Sequence, residues 1–118
     1  MMRDLLVLPV LVGSFLALGA AVANMGPNGS QIAHAGNARG APACIACHGE
    51  RLEGDAVLKT PALAGLPAEF ILSRLAHYSG PQGHNAMMRQ VATALGSDER
   101  QAVAAYLASL TAIGGPSH

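Results

Sequence analysis

Apolar residues recur at helical spacing in the second half of the chain. Ile71, Leu75 and Tyr78 stand at positions i, i+4 and i+7, which places them on one face of a helix. Pro67 suits a first helical turn, and Gly80 supplies a stop. The pattern predicts an amphipathic helix between these last two residues.

A second helical stripe lies near the C-terminus, where Val103, either Tyr106 or Leu107, and Leu110 are spaced for one face. Ser97 is a typical N-terminal cap, and the acidic residues after it suit the positive end of the helix dipole. Gly114 begins a Gly-Gly-Pro sequence that would stop the helix. A helix is therefore predicted from Ser97 to just before Gly114.

The remaining segments carry weaker patterns. Residues 31–39 are mostly small and support a short helix capped by Ser30. Residues 87–95 support a short helical turn, whereas residues 50–66 mix charges with Gly and Pro and are predicted to form an irregular loop. The sequence has no alternating strand pattern, so the predicted fold class is small and all-α.

The start of the chain has the features of an export signal. After Arg3, an uncharged and mostly apolar run extends from Leu5 to Val22 and leads into an Ala-Val-Ala sequence before Asn24. The alternative is an uncleaved membrane anchor, because about 20 apolar residues can span a bilayer. The predicted organisation is a signal peptide at 1–23, a flexible leader at 24–30, one domain at 31–113 and a C-terminal tail at 114–118.

The composition leaves the predicted domain short of large apolar side chains. The chain has 118 residues and a formal net charge of zero, which excludes the basic footprint of a nucleic-acid-binding protein. Beyond residue 23 its aromatic residues are Phe70, Tyr78 and Tyr106. A small domain normally depends on such side chains for much of its packing. We expect a large apolar group other than a side chain to fill the interior.

Both cysteines occur in the sequence Cys44-Ile45-Ala46-Cys47-His48. In a C-x-x-C-H motif two thiols add to the two vinyl groups of a haem, and the histidine binds the iron. A buried haem would also supply the missing apolar mass, and its attachment would be coupled to folding. The motif predicts one covalent haem c, held by Cys44 and Cys47, with His48 as an axial ligand of the iron.

Three other uses of two neighbouring cysteines compete with haem attachment. A structural zinc site needs four ligands, and the other histidines lack zinc-finger spacing. A thioredoxin-like dithiol belongs to a fold with strands. A disulfide across two residues closes a very short loop and adds little stability. None of the three accounts for the scarcity of aromatic residues.

Three stretches together resemble a class I cytochrome c. They are "GNARGAPACIACHG", "PALAGLP" and "MMRQVATALGSDERQAVAAYLASL", which cover nearly all of the chain beyond the signal segment. The chain is similar to the single-haem modules of bacterial cytochromes of the c4 and c553 type. This resemblance implies a fold of three to five helices wrapped around one covalent haem, so that residues 31–113 form a cytochrome c domain.

The resemblance also implies the second axial ligand. In such cytochromes it is typically a methionine seven residues ahead of a leucine that precedes the last helix, and counting back from Leu95 leads to Met88. Met87 is the fallback, since methionine is also a common core residue. His77 and His84 are the other candidates, and an open or labile sixth site, with His84 nearby, would instead suit a haem sensor or a peroxidase.

Two supporting contacts follow from the same resemblance. The carbonyl group of Pro61 is expected to accept a hydrogen bond from the His48 imidazole, which would orient the ring and raise its basicity. Pro61 as a simple turn residue is the alternative. Gly36 and Tyr106 are expected to lie where the first and last helices cross.

The function that these features imply is that of a periplasmic one-electron carrier, cycling between Fe(II) and Fe(III). Its partners would be redox proteins, as electron donor and terminal acceptor, with a membrane involved only if the N-terminal segment is retained. The alternative is the cytochrome subunit of a periplasmic dehydrogenase complex. Catalysis by this chain alone is not expected, because the sequence shows no partnered nucleophile and no nucleotide-binding motif.

Overall fold

The computed structural model of the protein describes residues 26–112. Between these residues the chain forms five helices, with no strand beyond a single isolated bridge between Asp55 and Thr60. In chain order the helices are α1 (Gly29–Ala35), α2 (Ile45–His48), α3 (Ala68–Ser79), α4 (Ala86–Ala94) and α5 (Ser97–Ser109). The predicted all-α fold class is confirmed.

The ends of the chain fall outside this description. The predicted signal peptide at 1–23 and the tail at 114–118 lie beyond the described residues. No helix in the range 26–112 has the length and apolar character needed to cross a bilayer. The leader predicted at 24–30 is in part helical, because α1 begins at Gly29.

Helices α1 and α5 pack against each other at Gly29, not at Gly36 as predicted. A Cβ atom added at Gly29 would overlap the carbonyl group of Ala102 and approach Tyr106 Cβ. Gly36 instead ends α1 with a positive φ of 75°, a conformation that glycine adopts without strain. The helix therefore stops at Ala35, four residues earlier than predicted, and its cap is Asn28 rather than Ser30 because the Asn28 side chain accepts the Gln31 N–H at 3.1 Å.

The last helix starts where predicted but is capped differently. Gly96, not Ser97, is the N-cap, and its N–H donates to the Glu99 carboxylate at 2.9 Å. The helix buries Val103 and Leu107. It ends at Ser109, short of the predicted stop at Gly114, because Leu110 already has an extended backbone.

Helices α3 and α4 form the other side of the core. The predicted helix between Pro67 and Gly80 is confirmed, and it buries Ile71 and Leu75. Residues 86–94 form a helix of nine residues rather than a single turn, and its buried side chains belong to Val91 and Ala92. Helix α3 packs against both α4 and α5.

The segment between α2 and α3 is irregular, as predicted, yet it is anchored at several points. Leu52 is 1% exposed and has a φ of 60°. Its carbonyl oxygen accepts the N–H groups of Leu63 at 2.8 Å and Ala64 at 3.1 Å. Gly65 N–H donates to the Leu107 carbonyl oxygen of α5 at 2.9 Å. The loop is therefore part of the core rather than a surface excursion.

Candidate haem-binding site

His48 lies at the end of α2 and is the only polar or charged residue that the structure buries between residues 26 and 112, with 8% of its surface exposed. Its Nδ1 atom is 2.9 Å from the carbonyl oxygen of Pro61. Because a carbonyl oxygen only accepts, Nδ1 carries the proton and Nε2 presents its lone pair. The ring thus has the tautomer and the fixed orientation that a metal-binding imidazole requires.

The backbone around the motif is held by the following loop. The hydroxyl group of Thr60 donates to the Cys47 carbonyl oxygen at 2.6 Å. The N–H of Gly54 donates to the His48 carbonyl oxygen at 2.7 Å. These bonds satisfy carbonyl groups at the C-terminal end of a helix of only four residues. The short helix therefore depends on the loop for its position.

The two cysteines are separate thiols, and both are partly buried. Burial raises the pKa of the Cys44 thiol, which keeps it uncharged at neutral pH and makes it a poor reactive thiolate. Burial thus gives Cys44 none of the activation that a redox-active thiol requires. Two thiols beside an imidazole with a free Nε2 do fit a haem, since they match its two vinyl groups and its iron.

The residues predicted as candidates for the second ligand of the iron differ in exposure. Met88 is partly buried and packs against the hydrophobic core, whereas Met87 is 49% exposed. His77 and His84 are both exposed, and the His77 ring lies edge-on to the neighbouring Tyr78 ring. A side chain directed to the interior is better placed for a buried metal than one directed to solvent. The geometry therefore favours Met88, and its bond to iron stays a prediction.

Asn37 is a residue that the sequence did not single out. Its Oδ1 atom accepts the N–H groups of Arg39 at 3.1 Å and Ala41 at 2.9 Å. Its Nδ2 atom donates to the carbonyl oxygen of Ala94 at 2.8 Å and to Glu99 Oε1 at 3.0 Å. The Asn37 side chain thus joins the segment that leads into the haem motif to the junction of α4 and α5. Asparagine after a helix-ending glycine signals a turn, but its partners 57 and 62 residues away leave no signal in the sequence.

Glu99 completes this junction. Its pKa is lowered, first by the hydrogen bond from the Gly96 N–H and then by the hydrogen bond from the Arg39 side chain. Arg39 and Glu99 also form an ion pair between the end of the α1 region and the start of α5. The carboxylate therefore stays charged at a lower pH than an ordinary glutamate.

The comparisons with known proteins agree with this geometry. The family model described as cytochrome c matches residues 28–111. A thiosulfate dehydrogenase electron acceptor of Thiomonas intermedia is 34% identical over 77 residues, which cover 65% of this chain and 36% of that protein. Cytochrome c4 of Thiocapsa roseopersicina is 34% identical over 98 residues, covering 79% of this chain and 51% of that protein.

Solved structures show the same relationship. Cytochrome c4 from Pseudomonas stutzeri superposes with a TM-score of 0.63 at 26% identity, covering 70% of this chain and 46% of that one. Thiosulfate dehydrogenase from Marichromatium purpuratum gives a TM-score of 0.64 at 35% identity, covering 70% of this chain and 19% of that one.

The chain spans about a third to a half of the length of the relatives it matches. What is shared is the helical domain with its motif, which carries one covalent haem c at Cys44 and Cys47 with His48 beside them. The chain belongs to the cytochrome c family and has the class I fold.

Proposed function

We propose that this chain is an exported electron carrier that passes single electrons between redox proteins. The observation that carries the proposal is the 2.9 Å hydrogen bond from His48 Nδ1 to the Pro61 carbonyl oxygen, next to the two haem-binding thiols. Haem c bound at this motif supplies a reversible one-electron couple at its iron. The chain itself keeps the iron-binding imidazole in one orientation, which limits the structural change that accompanies each electron.

Met88 is proposed as the second axial ligand, with Met87 as the fallback. Its partly buried position against the core supports this choice. A thioether is a soft ligand that favours the ferrous state, and so it raises the reduction potential relative to a second nitrogen ligand. The buried side chains around it act in the same direction, because a low dielectric penalises the additional positive charge of the ferric site.

Electron exchange is proposed to use a small apolar surface near the motif. Ala46 and Met87 are exposed and uncharged, and Lys59 is the only lysine of the chain. Transient redox contacts are small, below about 1,200 Å². Because Ala46 and Met87 carry no charge, the association rate is expected to depend weakly on salt concentration. A steep fall of the rate on adding salt would contradict this surface.

The proposed location is the periplasm. The apolar run from Leu5 to Val22 and the sequence before Asn24 support export, with residues 1–23 as signal peptide. The domain proposed to carry the electron is 31–113, extended at its start to include Gly29 of α1. N-terminal sequencing of the mature protein would test export and the cleavage of residues 1–23, because cleavage predicts a start at Asn24.

A second candidate function is that of the electron-accepting subunit of a periplasmic dehydrogenase. Similarity to thiosulfate dehydrogenase electron acceptors at 34% and 36% identity favours it. The same domain also matches part of a solved thiosulfate dehydrogenase. Purification of the native protein distinguishes the two candidates: a free carrier elutes as a single small chain, whereas a subunit brings a larger catalytic chain with it.

The first experiment is the absorption spectrum of the exported holoprotein, oxidised and reduced, with Met88→Ala and Met87→Ala as a matched pair. We expect a covalent c-type spectrum with an iron–methionine charge-transfer band in the near red, and no response of the reduced protein to carbon monoxide. Met88→Ala should lose the band and bind carbon monoxide, while Met87→Ala should behave as the wild type. Loss of the band in Met87→Ala alone would move the ligand to Met87, and binding of carbon monoxide by the wild type would favour a sensor or a peroxidase.

A further inference from the structure

The loop between α3 and α4 folds back onto the end of α3. Gly83 N–H donates to the Gly80 carbonyl oxygen at 3.1 Å. A Cβ atom added at Gly83 would overlap the carbonyl group of Tyr78, so the loop lies directly against the last turn of α3. The course of this loop decides where α4 begins, and Met88 stands in the first turn of α4.

Two side chains fasten the first turn of α4. Asn85 Oδ1 accepts the backbone N–H of Met88 at 2.9 Å. The guanidinium group of Arg89 donates to the Gly80 carbonyl oxygen at 2.7 Å and lies 3.5 Å from the Tyr78 carbonyl oxygen. Met88 is thus held on both sides, through its own amide and through the next residue. We refer to Asn85 and Arg89 together as the latch.

Packing alone does not fix this turn. The buried residues of α4 are Val91 and Ala92, both in the second half of the helix. Met87 and Arg89, on either side of Met88, are exposed. The fully buried contacts therefore hold the end of α4, while at its beginning only the partly buried Met88 packs against the core and hydrogen bonds supply the remaining support.

We propose that Asn85 and Arg89 are positioning residues that keep Met88 in place as an axial ligand by limiting the opening of the first turn of α4. The inference rests on the proposed function, in which Met88 binds the iron. The Arg89 guanidinium meets carbonyl groups at the C-terminal end of α3, where the helix dipole is negative, so its bonds are charge-assisted. Without the latch the turn opens more often, and the fraction of protein with Met88 away from the iron rises.

The test measures how fast imidazole binds to the oxidised holoprotein, because imidazole reaches the iron only after the methionine leaves it. The variants are Asn85→Ala and Arg89→Met, which remove the acceptor and the donors. Asn85→Ala is expected to raise the binding rate roughly fivefold to tenfold, the factor that corresponds to one lost neutral hydrogen bond, and Arg89→Met is expected to raise it at least as much because its bonds are charge-assisted. Asn85→Asp keeps the acceptor and is expected to restore the rate of the wild type.

Arg74→Met is the matched control. Arg74 is an exposed arginine of α3 whose guanidinium lies 5.1 Å from the centre of the Tyr78 ring. Like Arg89 it is a charged neighbour of Tyr78, but its hydrogen bond goes to the Tyr78 hydroxyl group at 3.4 Å. We expect its imidazole rate to stay at the level of the wild type.

A second readout separates positioning from general stability. On heating, the iron–methionine band of the latch variants should disappear at a lower temperature than the loss of helical circular dichroism, while the two losses stay closer together in the wild type and in Arg74→Met. Unchanged rates in both latch variants, with the band present, would overturn the inference and leave the proposed function intact. An equal increase in Arg74→Met would overturn it too. A wild type without the band would remove Met88 as a ligand of the iron. The proposed second ligand and the positioning role of the latch would then both be overturned.

Discussion

The proximal segment, residues 44–66 with His48, and the distal segment, residues 80–95 with Met88, are held by different kinds of interaction. In the proximal segment, backbone groups bond to one another around the buried Leu52, and the Gly54 N–H meets the His48 carbonyl oxygen at 2.7 Å. In the distal segment, the start of α4 depends on two exposed side chains, Asn85 and Arg89. The proximal side of the proposed haem site is therefore held mainly by backbone hydrogen bonds, whereas on the distal side exposed side chains add to the packing of Met88 against the core.

This difference bears on the stability of each ligand. A hydrogen bond that is shielded from water must be broken without replacement, whereas an exposed side chain can exchange its partner for solvent. Local opening follows the regions with few buried contacts. We therefore expect the bond from iron to His48 to persist until the whole domain unfolds, and the bond from iron to Met88 to open earlier.

The largest expected effect comes from Leu52→Ala, which would leave a cavity in the core beside the proximal segment. Leu52 is 1% exposed, and such truncations typically destabilise a protein by about 2–5 kcal/mol. Because alanine at this position keeps the same positive φ, the backbone strain is the same in the wild type and in the variant and cancels in the comparison of their stabilities. Urea unfolding of the holoprotein measures the loss. Leu58→Ala, at a leucine that is 54% exposed in the same loop, should change stability by less than about 0.5 kcal/mol; equal effects of the two would contradict the anchoring role of Leu52.

The next effect concerns Asn37, whose side chain joins residues 39–41, ahead of the haem motif, to the junction of α4 and α5. Asn37→Asp keeps the shape of the side chain but replaces the NH2 group, which faces the Ala94 carbonyl and the Glu99 carboxylate, by an oxygen. Leaving such groups unpaired should lower the free energy of unfolding by about 2–3 kcal/mol at neutral pH. Asn28→Asp is the control, because its oxygen still accepts the Gln31 N–H, and it should be nearly neutral. A nearly neutral Asn37→Asp would show that the junction contributes little.

A smaller effect is expected at the support of the haem motif. Thr60→Val removes the hydroxyl group that donates to the Cys47 carbonyl oxygen at 2.6 Å and should destabilise the holoprotein by about 1 kcal/mol. Thr93→Val removes a hydroxyl group that bonds only within its own helix, to Arg89 and Gln90 carbonyl oxygens. If the two variants unfold at the same urea concentration, the contact to Cys47 has no special role.

The smallest effect is a pH dependence at the start of α5. The folded pKa of Glu99 is lowered, mainly by the Gly96 N–H and next by Arg39. A depressed folded pKa stabilises the protein above the unfolded pKa, about 4.3 for Glu, and this contribution is lost as the pH falls through the folded value. The stability difference between wild type and Glu99→Gln should therefore be present at neutral pH and shrink below about pH 4. Asp98→Asn, which removes the adjacent exposed charge, should show a smaller difference at neutral pH.

Periodicity predicted α3 closely, because three apolar residues and two breakers agree on one segment. The sequence pattern also predicted the start of α5, but it placed the end of this helix too late. Helix α4 was underestimated, since its buried residues are only Val91 and Ala92 and its cap is Asn85. Short helices carry too few positions for a period, and their length is decided by caps and neighbours.

The two glycines at the ends of α1 show a feature that the sequence does not indicate, namely which glycine contacts the other helix. Gly29 and Gly36 look alike in the sequence, and the resemblance pointed to Gly36 as the crossing point. The structure uses Gly29 for the close approach to α5 and Gly36 for a positive φ at the end of α1. Which glycine faces the other helix depends on where α5 lies, and that is set by contacts distant in the chain.

The sequence by itself determined the chemistry of this protein. The C-x-x-C-H motif specifies two thiols and an imidazole, the composition indicates an additional apolar group, and the helical periodicity without a strand pattern predicts an all-α fold. These features are local, so neighbouring residues are enough to read them. The resemblance already implied the contact of Pro61 with His48. The tertiary structure alone decided the rest of the support of the site, through Asn37 at the helix junction and the latch on either side of Met88. Those contacts join residues far apart in the chain or separated by a turn, and only the folded backbone brings their donors and acceptors together.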